Sequence, residues 1–245
     1  MIVLFTDFGA DDIYVGQVKA RLLQGAPANH AVIDLLHSAP DYAPRSAAHL
    51  LAAAQAQFPT GAVFLAVVDP GVGTERGAAV IEADGRWFVG PDNGLLSVVA
   101  ARAAHLRVWR VRWEPDQLST SFHGRDLFAP IAAAIAGGVL EAGWLEPSER
   151  LEVELGADDL GEVVYTDHYG NAMTGLRAVN VPATATLSVN GHRIPRARVF
   201  AEVPPGTVMW YENSVGLVEI AVNRGHAASR FGLHVGDEVL LATDA

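Results

Sequence analysis

The stretch VDPGVGTERG, residues 68–77, brings an acidic and a basic side chain to either side of a glycine-containing turn. An apolar run delivers Asp69 at its end, and Gly71 allows the backbone to approach a ligand closely. Arg76 lies seven residues after Asp69 and can fold back to pair with it. Two interpretations of this stretch are equally favoured. In one, the Arg76 guanidinium holds the Asp69 carboxylate in a functional site; in the other, the stretch is an ordinary turn with a surface ion pair.

The stretch SFHGRDLFAP, residues 121–130, places an imidazole just before an Ala-rich apolar run. A helix is predicted over 127–136, so His123 lies near a helix N-terminus, where the macrodipole disfavours the imidazolium. A neutral imidazole can accept a proton, and Gly124 lets a ligand come close. Taken alone, however, the pattern favours a structural histidine ahead of a buried helix that Asp126 caps.

The stretch FTDFGADD, residues 5–12, puts three aspartates in one loop after a predicted buried strand. Asp7 directly follows the strand, at the end where open α/β sheets bind ligands. A carboxylate there suits a metal ion or the two adjacent hydroxyls of a ribose. Asp12 is better explained as the N-cap of the helix predicted over 13–23.

The same loop has a superficial likeness to the Asp-rich calcium loop of nucleoside hydrolases. A calcium-dependent nucleoside hydrolase that uses Asp7, Asp11 and Asp12 is therefore one hypothesis. Phe5 stands where that loop has its first aspartate, and Phe8 stands where it has a proline. Losing a carboxylate weakens a site for a hard cation, which counts against this hypothesis.

Two later stretches also combine polar side chains with turn residues. YTDHYGNAMTG, residues 165–175, carries Asp167 and Asn171 around a glycine turn, and ENSVGLVEIAVNRGHAA, residues 212–228, runs from polar residues into an apolar strand. An Asx-type loop between strands and the edge of a hairpin explain these stretches without a ligand.

The first part of the chain alternates apolar runs with helical spacing, which predicts an α/β domain over residues 1–150. Continuous apolar runs favour a central, mostly parallel sheet with helices on both faces. The predicted strands are 2–5, 31–36, 63–68, 78–81, 87–89 and 106–111, and the predicted helices are 13–23, 44–58, 95–103 and 127–136.

Beyond about residue 150 the Ala-rich helices give way to short β-type runs separated by turns. Asn190-Gly191 is a strong hairpin signal. The pattern predicts a smaller, all-β, barrel-like domain over residues 155–245. The predicted strands are 163–166, 186–189, 208–211, 218–222 and 239–241.

Composition narrows the classes of function. The 245 residues include no cysteine, which excludes disulfides and thiolate sites, and the net charge of −11 comes without the basic stripe of a nucleic-acid binder. No apolar run approaches the about 20 residues of a membrane span, and the first residues lack the basic flank of a signal peptide. We therefore expect a cytoplasmic protein with neither a membrane nor a nucleic acid as partner.

Five stretches in this order resemble one family: VDPGVGTER, VGPDNGLL, STSFHGRDLFAPIAA, YTDHYGNAMTGL and ENSVGLVEIAVNRGHAA. They are similar to the S-adenosyl-L-methionine (SAM) hydrolases, also called SAM hydroxide adenosyltransferases, which are relatives of the SAM-dependent fluorinase and chlorinase. The likeness runs from Phe5 to Val239, and five ordered motifs are far more specific than any one of them.

The resemblance implies an N-terminal α/β domain, a β-barrel-like C-terminal domain, and a homotrimer that holds the substrate between the first domain of one subunit and the second of its neighbour. It implies a catalytic set of Asp69, Arg76 and His123, no metal, and no cofactor beyond SAM as the substrate. It also implies contacts to the adenosine part of SAM from Asp7 (ribose), Asp167, Asn171, Tyr211, Ser214, Glu219 and Val222.

The implied reaction converts SAM and water to adenosine and L-methionine by in-line attack at C5′. The halogenases carry Tyr at the position of His123, and the fluorinase carries Ser at that of Gly124, so these residues favour water as the nucleophile. The fluorinase's Ser-Arg pair is replaced by Ser214 and Val215, which affects the expected adenine contacts. A chloride-using enzyme and a non-catalytic adenosine- or SAM-binding protein are alternatives, and the choice of base between His123 and Asp69 is open.

Overall fold

A computed structural model describes residues 1–26 and 30–242. Residues 27–29 and 243–245, which fall inside the two predicted domains, lie outside the described residues. The chain divides into two compact units, one of Met1–Leu51 with Phe58–Ala157 and one of Ala52–Gln57 with Asp158–Ala245. Within the described ranges, no helix is both long enough and apolar enough to cross a membrane.

The first unit is built on a seven-stranded sheet of order β2-β1-β3-β5-β4-β6-β7. Strands β2, β1, β3 and β5 are parallel, whereas β4, β6 and β7 continue the sheet in antiparallel pairings. The sheet is therefore parallel-rich with an antiparallel side. Its strands are β1 Ile2–Thr6, β2 Val32–Leu36, β3 Val63–Val67, β4 Ala78–Ala83, β5 Arg86–Pro91, β6 Leu106–Val111 and β7 Leu145–Ser148.

Both faces of strands β1 and β3 are covered, which is why their sequences are continuously apolar. On one face Ile2 and Leu4 pack in a core cluster with Val18 and Ile131 from two helices. The alternate residue Val3 is also fully buried, on the opposite face. The helices are α1 Ile13–Gly25, α2 Pro44–Ala54, α3 Ser97–Arg102 and α4 Ala129–Gly137, and a 3₁₀ turn, Gln55–Gln57, follows α2.

The second unit contains two separate antiparallel sheets, of orders β12-β13-β9-β8 and β11-β10-β14. The hairpin predicted at Asn190-Gly191 is confirmed: both residues have positive φ, 48° and 77°, and they join β10 to β11. Closure of the sheets into a barrel stays a prediction. The strands are β8 Leu160–Thr166, β9 Ala172–Arg177, β10 Leu187–Val189, β11 His192–Ile194, β12 Val208–Glu212, β13 Leu217–Val222 and β14 Leu240–Leu241.

The second unit is not purely β. A short helix, α5, spans Ala227–Phe231 after the last long strand, and its first residue is fully buried. His226 caps this helix by accepting a hydrogen bond from the Ser229 backbone N–H at 3.0 Å. The cap is an imidazole rather than a typical Ser, Thr, Asp or Asn, so the sequence showed no ordinary helix start there.

Candidate active site

The carboxyl ends of β1 and β3 lie side by side because the two strands are parallel neighbours, with Thr6 opposite Val67. Asp7 follows β1, and its backbone N–H donates to the Val67 carbonyl at 3.3 Å. Asp69 follows β3 two residues later. The sheet therefore brings both carboxylates to one edge, as expected for a ligand site of an open α/β sheet.

The turn that carries Asp7 is held from the end of β2. The Thr6 hydroxyl lies 2.8 Å from Nδ1 of buried His37, and His37 Nε2 lies 3.0 Å from the Asp34 carboxylate. The His37 carbonyl accepts from the backbone N–H of Gly9 at 2.7 Å, and Gly9 has a φ of 81° that favours glycine. Strands β1 and β2 thus position the loop through side chains as well as through the backbone.

Asp69 and Arg76 form a buried ion pair. Arg76 Nε donates to Asp69 Oδ1 at 2.9 Å, Nη2 donates to the other carboxylate oxygen, and Nη1 donates to the Gly77 carbonyl at 3.0 Å. The two side chains are 11% and 5% exposed, and the guanidinium lies 5.2 Å from the centre of the Phe128 ring. The interpretation of this stretch as a turn with a surface ion pair is therefore wrong.

His123 joins this pair through its ring. Its Nδ1 lies 3.1 Å from Arg76 Nη2, and the residue is 9% exposed. Burial, followed by the nearby Arg76 charge, lowers the pKa of the imidazole from its usual value. The three residues that the resemblance implied as a catalytic set are thus linked through Arg76, with His123 favoured in its neutral form.

Helical structure begins earlier than the start predicted at residue 127. A turn of π-helix, Gly124–Phe128, follows His123, and α4 starts only at Ala129. Asp126 does not cap the helix: it pairs with Arg125 and accepts from the Ser119 backbone N–H at 3.1 Å. Such π turns are frequent at functional sites, and this one directly follows His123.

A cavity of about 630 Å³ in the first unit is lined by Asp7, Asp69 and His123. Aromatic rings form part of its wall. The centre of the Phe122 ring lies 5.6 Å from the centre of the Phe8 ring and 5.4 Å from the centre of the Tyr14 ring. Its other lining residues are Asp12, Gln17, Asp41, Tyr42, Val67, Val72, Ser119, Ser121, Gly124 and Arg125. A cavity with four carboxylates and one guanidinium on its wall suits a cationic ligand.

Asp7 is half-buried in this cavity. Burial raises the pKa of its carboxyl group, while a hydrogen bond from the backbone N–H of Tyr42 opposes that rise. Tyr42 has a φ of 56°, a conformation that is uncommon outside glycine and that recurs at functional sites. Tyr42 was not predicted as a site residue; the signal was its place in the loop that follows the parallel strand β2.

The remaining predicted contact residues line a second cavity of about 780 Å³, which lies within the second unit. These are Asp167, Asn171, Tyr211, Ser214, Glu219 and Val222, and the cavity is also lined by Tyr169, Met173, Phe200, Asn213, Arg224, Gly225 and His226. Residues from two separate sequence stretches therefore meet at one concave surface.

Asp167 organises the turn between β8 and β9. Its Oδ1 accepts from the backbone N–H groups of Tyr169 at 2.9 Å and Asn171 at 2.8 Å, and its Oδ2 accepts from Asn171 Nδ2 at 3.0 Å. This is the Asx-type loop that the sequence predicted, and it also lies in a cavity. The structural and the ligand-binding interpretations of the stretch are therefore compatible.

Glu219 is the most buried ionisable group of the second cavity, at 2% exposed. It accepts hydrogen bonds from the Tyr211 hydroxyl and from Asn213 Nδ2, the latter at 2.8 Å. Burial raises the pKa of the Glu219 carboxyl group and, together with the bond to Glu219, that of the Tyr211 phenol. Asn213 was not predicted as a site residue, although it stands beside Ser214 in the fifth of the five motifs.

The calcium hypothesis needed three neighbouring aspartates as ligands. Asp12 instead caps α1, since its side chain accepts from the Ile13 backbone N–H at 3.0 Å, as the sequence predicted. Across residues 1–26 and 30–242, no group of three or more histidine or carboxylate side chains is placed to hold a metal ion.

Models of the two domains of one family match this chain, the SAM hydroxide adenosyltransferase N-terminal domain over residues 2–143 and the C-terminal domain over residues 161–240. A Thermus thermophilus protein named (R)-S-adenosyl-L-methionine hydrolase is 43% identical, over 98% of this chain and 98% of its own length. A protein of the same name from Salinispora tropica is 38% identical, over 96% of this chain and 94% of its own.

A solved structure of an uncharacterised conserved protein from Thermotoga maritima is similar along nearly the whole chain. Its TM-score is 0.86 at 32% identity, covering 99% of this chain and 100% of that one. The two family models, the curated relatives and this fold agree with the five motifs. The chain therefore belongs to the SAM hydroxide adenosyltransferase family.

Proposed function

We propose that this protein hydrolyses SAM to adenosine and L-methionine by attack of water at C5′. The observation that carries the proposal is the buried cluster of Asp69, Arg76 and His123 beside an acidic cavity. Relatives that bear the name (R)-S-adenosyl-L-methionine hydrolase support it, and they cover nearly the whole chain. The chloride-using and the non-catalytic alternatives have no comparable support.

The chemistry suits the first cavity. The sulfonium of SAM departs as a neutral thioether, so the leaving group needs no proton. What the reaction needs is a water molecule held in line behind C5′ and stripped of its solvent shell. Asp69 and His123 both line the cavity and both offer polar atoms to such a water, while the surrounding carboxylates favour the cationic substrate.

We assign the adenosine part of SAM to residues of both cavities. The Asp7 carboxylate accepts hydrogen bonds from the two ribose hydroxyls. Asp167, Asn171, Tyr211, Ser214, Glu219 and Val222 surround the adenosine part in the second cavity. These assignments rest on the family resemblance, and the shared cavities support them.

We further propose that the protein acts as a cytoplasmic homotrimer and that its second unit closes into a barrel-like domain. In the trimer, SAM lies between the first unit of one subunit and the second unit of its neighbour. The resemblance supports this arrangement, as does the division of the assigned contacts into two cavities, one in each unit.

The test is a mass-spectrometric product assay of the protein with SAM, with and without chloride. We expect equal amounts of adenosine and methionine, and a loss of about 100-fold or more in His123→Ala because that variant lacks the polar ring. 5′-Chloro-5′-deoxyadenosine formed with chloride would favour a halide nucleophile. Tight adenosine binding by calorimetry, with SAM left intact, would instead identify a binding protein.

A further inference from the structure

The two ring nitrogens of His123 have different surroundings. Nδ1 lies 3.1 Å from Arg76 Nη2. In the described part of the chain, Nε2 has no hydrogen-bond partner, and the residue lines the first cavity. Nε2 is therefore the nitrogen that is available to a molecule in the cavity.

The contact with Arg76 determines where the ring proton lies. A guanidinium carries only donors, so Nδ1 must accept with its lone pair, and the proton of the neutral ring is then on Nε2. Arg76 cannot easily turn away, because its other N–H groups bond both oxygens of Asp69 and the Gly77 carbonyl. The lowered pKa of His123, caused by burial and by Arg76, agrees with a neutral ring.

A neutral ring with its proton on Nε2 presents a donor to the cavity, not a base. We propose that His123 orients the attacking water by donating its Nε2–H to the water oxygen, and that Asp69 accepts the water proton. This inference rests on the proposed hydrolysis of SAM. Asp69 is the acceptor that remains in the cluster, since each carboxylate oxygen has a further lone pair beyond the one that Arg76 occupies.

The step balances in atoms and charge. One lone pair of the water oxygen accepts from His123, and the other forms the bond to C5′. The C5′–S bond breaks, its electron pair stays on sulfur, and the sulfonium becomes the neutral thioether of methionine. The water proton passes to the Asp69 carboxylate, which later returns it to solvent.

Two substitutions at position 123 separate the two nitrogens. In His123→Gln the side-chain amide nitrogen can reach the place of Nε2 and donate to water, but it cannot act as a base. In His123→Asn the carbonyl oxygen takes the place of Nδ1 beside Arg76, and no donor reaches the water. His123→Ala lacks both groups, and the kcat of the three variants is compared with that of the wild type.

We expect His123→Gln to retain kcat within about tenfold of the wild type, whereas the Asn and Ala variants lose about 100-fold or more. If His123 were the base, Gln would lose as much as Ala, and that result in a well-folded variant would overturn the assignment. A wild-type protein that leaves SAM intact would instead overturn the proposed function, and this inference with it.

A spectroscopic readout completes the test. The ¹⁵N NMR signals of His123 should show protonated Nε2 and unprotonated Nδ1 at neutral pH, and the opposite pattern would overturn the proposal.

Discussion

Arg76 is the residue on which the geometry of the first cluster depends. Its guanidinium bonds both oxygens of Asp69, the Gly77 carbonyl and His123 Nδ1. A planar fork can make these contacts at once, whereas an ammonium is a single point charge. Breaking a buried pair of this kind by removing one partner costs about 3–5 kcal/mol in general, because the other charge is left unpaired.

Arg76→Lys keeps the positive charge but not the fork. We expect kcat to fall by about 100-fold, the size typical of losing one preorganised donor, because Asp69 and His123 are no longer held together. Steady-state kinetics with SAM measure the effect. The matched control is Arg112→Lys, whose side chain is 55% exposed and pairs with Glu146, and its kcat should stay at the wild-type value. If Arg76→Lys kept the kcat of the wild type, the planar guanidinium would not be needed for catalysis.

At the scale of elements, the π turn Gly124–Phe128 connects His123, which lines the first cavity, to helix α4. Gly124 is needed there for space, since a Cβ at this position would lie 2.8 Å from Cζ of Phe8. Phe8 in turn lines the cavity beside Asp7. The π turn that follows His123 and the loop that carries Asp7 are therefore packed against each other at Gly124.

Gly124→Ala should therefore disturb both the π turn and the loop that carries Asp7. We expect a loss of about 1–3 kcal/mol in the free energy of unfolding, because the added methyl overpacks the contact with Phe8. We also expect a lower kcat, because the ring of Phe8 or His123 must move. Denaturant unfolding and steady-state assays measure the two effects.

The control is Gly16→Ala in α1, where a Cβ meets nothing within 4 Å. It should raise stability by about 0.5–1 kcal/mol through helix propensity and leave kcat unchanged. If Gly124→Ala behaved like this control, the close contact between Gly124 and Phe8 would matter neither for stability nor for kcat.

At the scale of the whole molecule, the proposed trimer makes a prediction that neither cavity makes by itself. We expect Asp69→Ala and Asp167→Ala each to be inactive, because each removes a group from a different cavity. If substrate lies between neighbouring subunits, each trimer that contains both variants has sites that carry neither substitution, about one site in three. Co-expressing the two variants with different tags and purifying mixed assemblies should therefore restore activity.

Mixed assemblies that stay inactive would contradict a site shared between neighbouring subunits. Light scattering on the purified wild-type protein, which measures its mass in solution, checks the trimer independently. The control is a mixture of the two variants purified separately and combined without exchange of subunits, which should stay inactive.

Among the elements, those with strong periodic patterns were predicted well, and the weakly patterned ones were missed. Strands β1, β3 and β6 lie within a residue or two of their predicted bounds, since each is a distinct apolar or alternating run. Strand β7 has only four residues and includes Pro147, which is tolerated because β7 is an edge strand. Strand β9 begins inside a stretch interpreted as a loop, residues 165–175, and its Ala and Gly residues have little β propensity.

The amino-acid sequence by itself determined the α/β class of the first unit, the hairpin at Asn190-Gly191 and, through five ordered motifs, the family. These properties follow from local periodicity, from turn chemistry and from the order of residues. Only the tertiary structure decided that Asp69 and Arg76 are buried and that His123 Nδ1 lies against the guanidinium. Arg76 and His123 are 47 residues apart, and their contact arises because a sheet edge and a π turn bring them together. No local pattern encodes such a contact, or the burial and ring orientation that give each residue its chemistry.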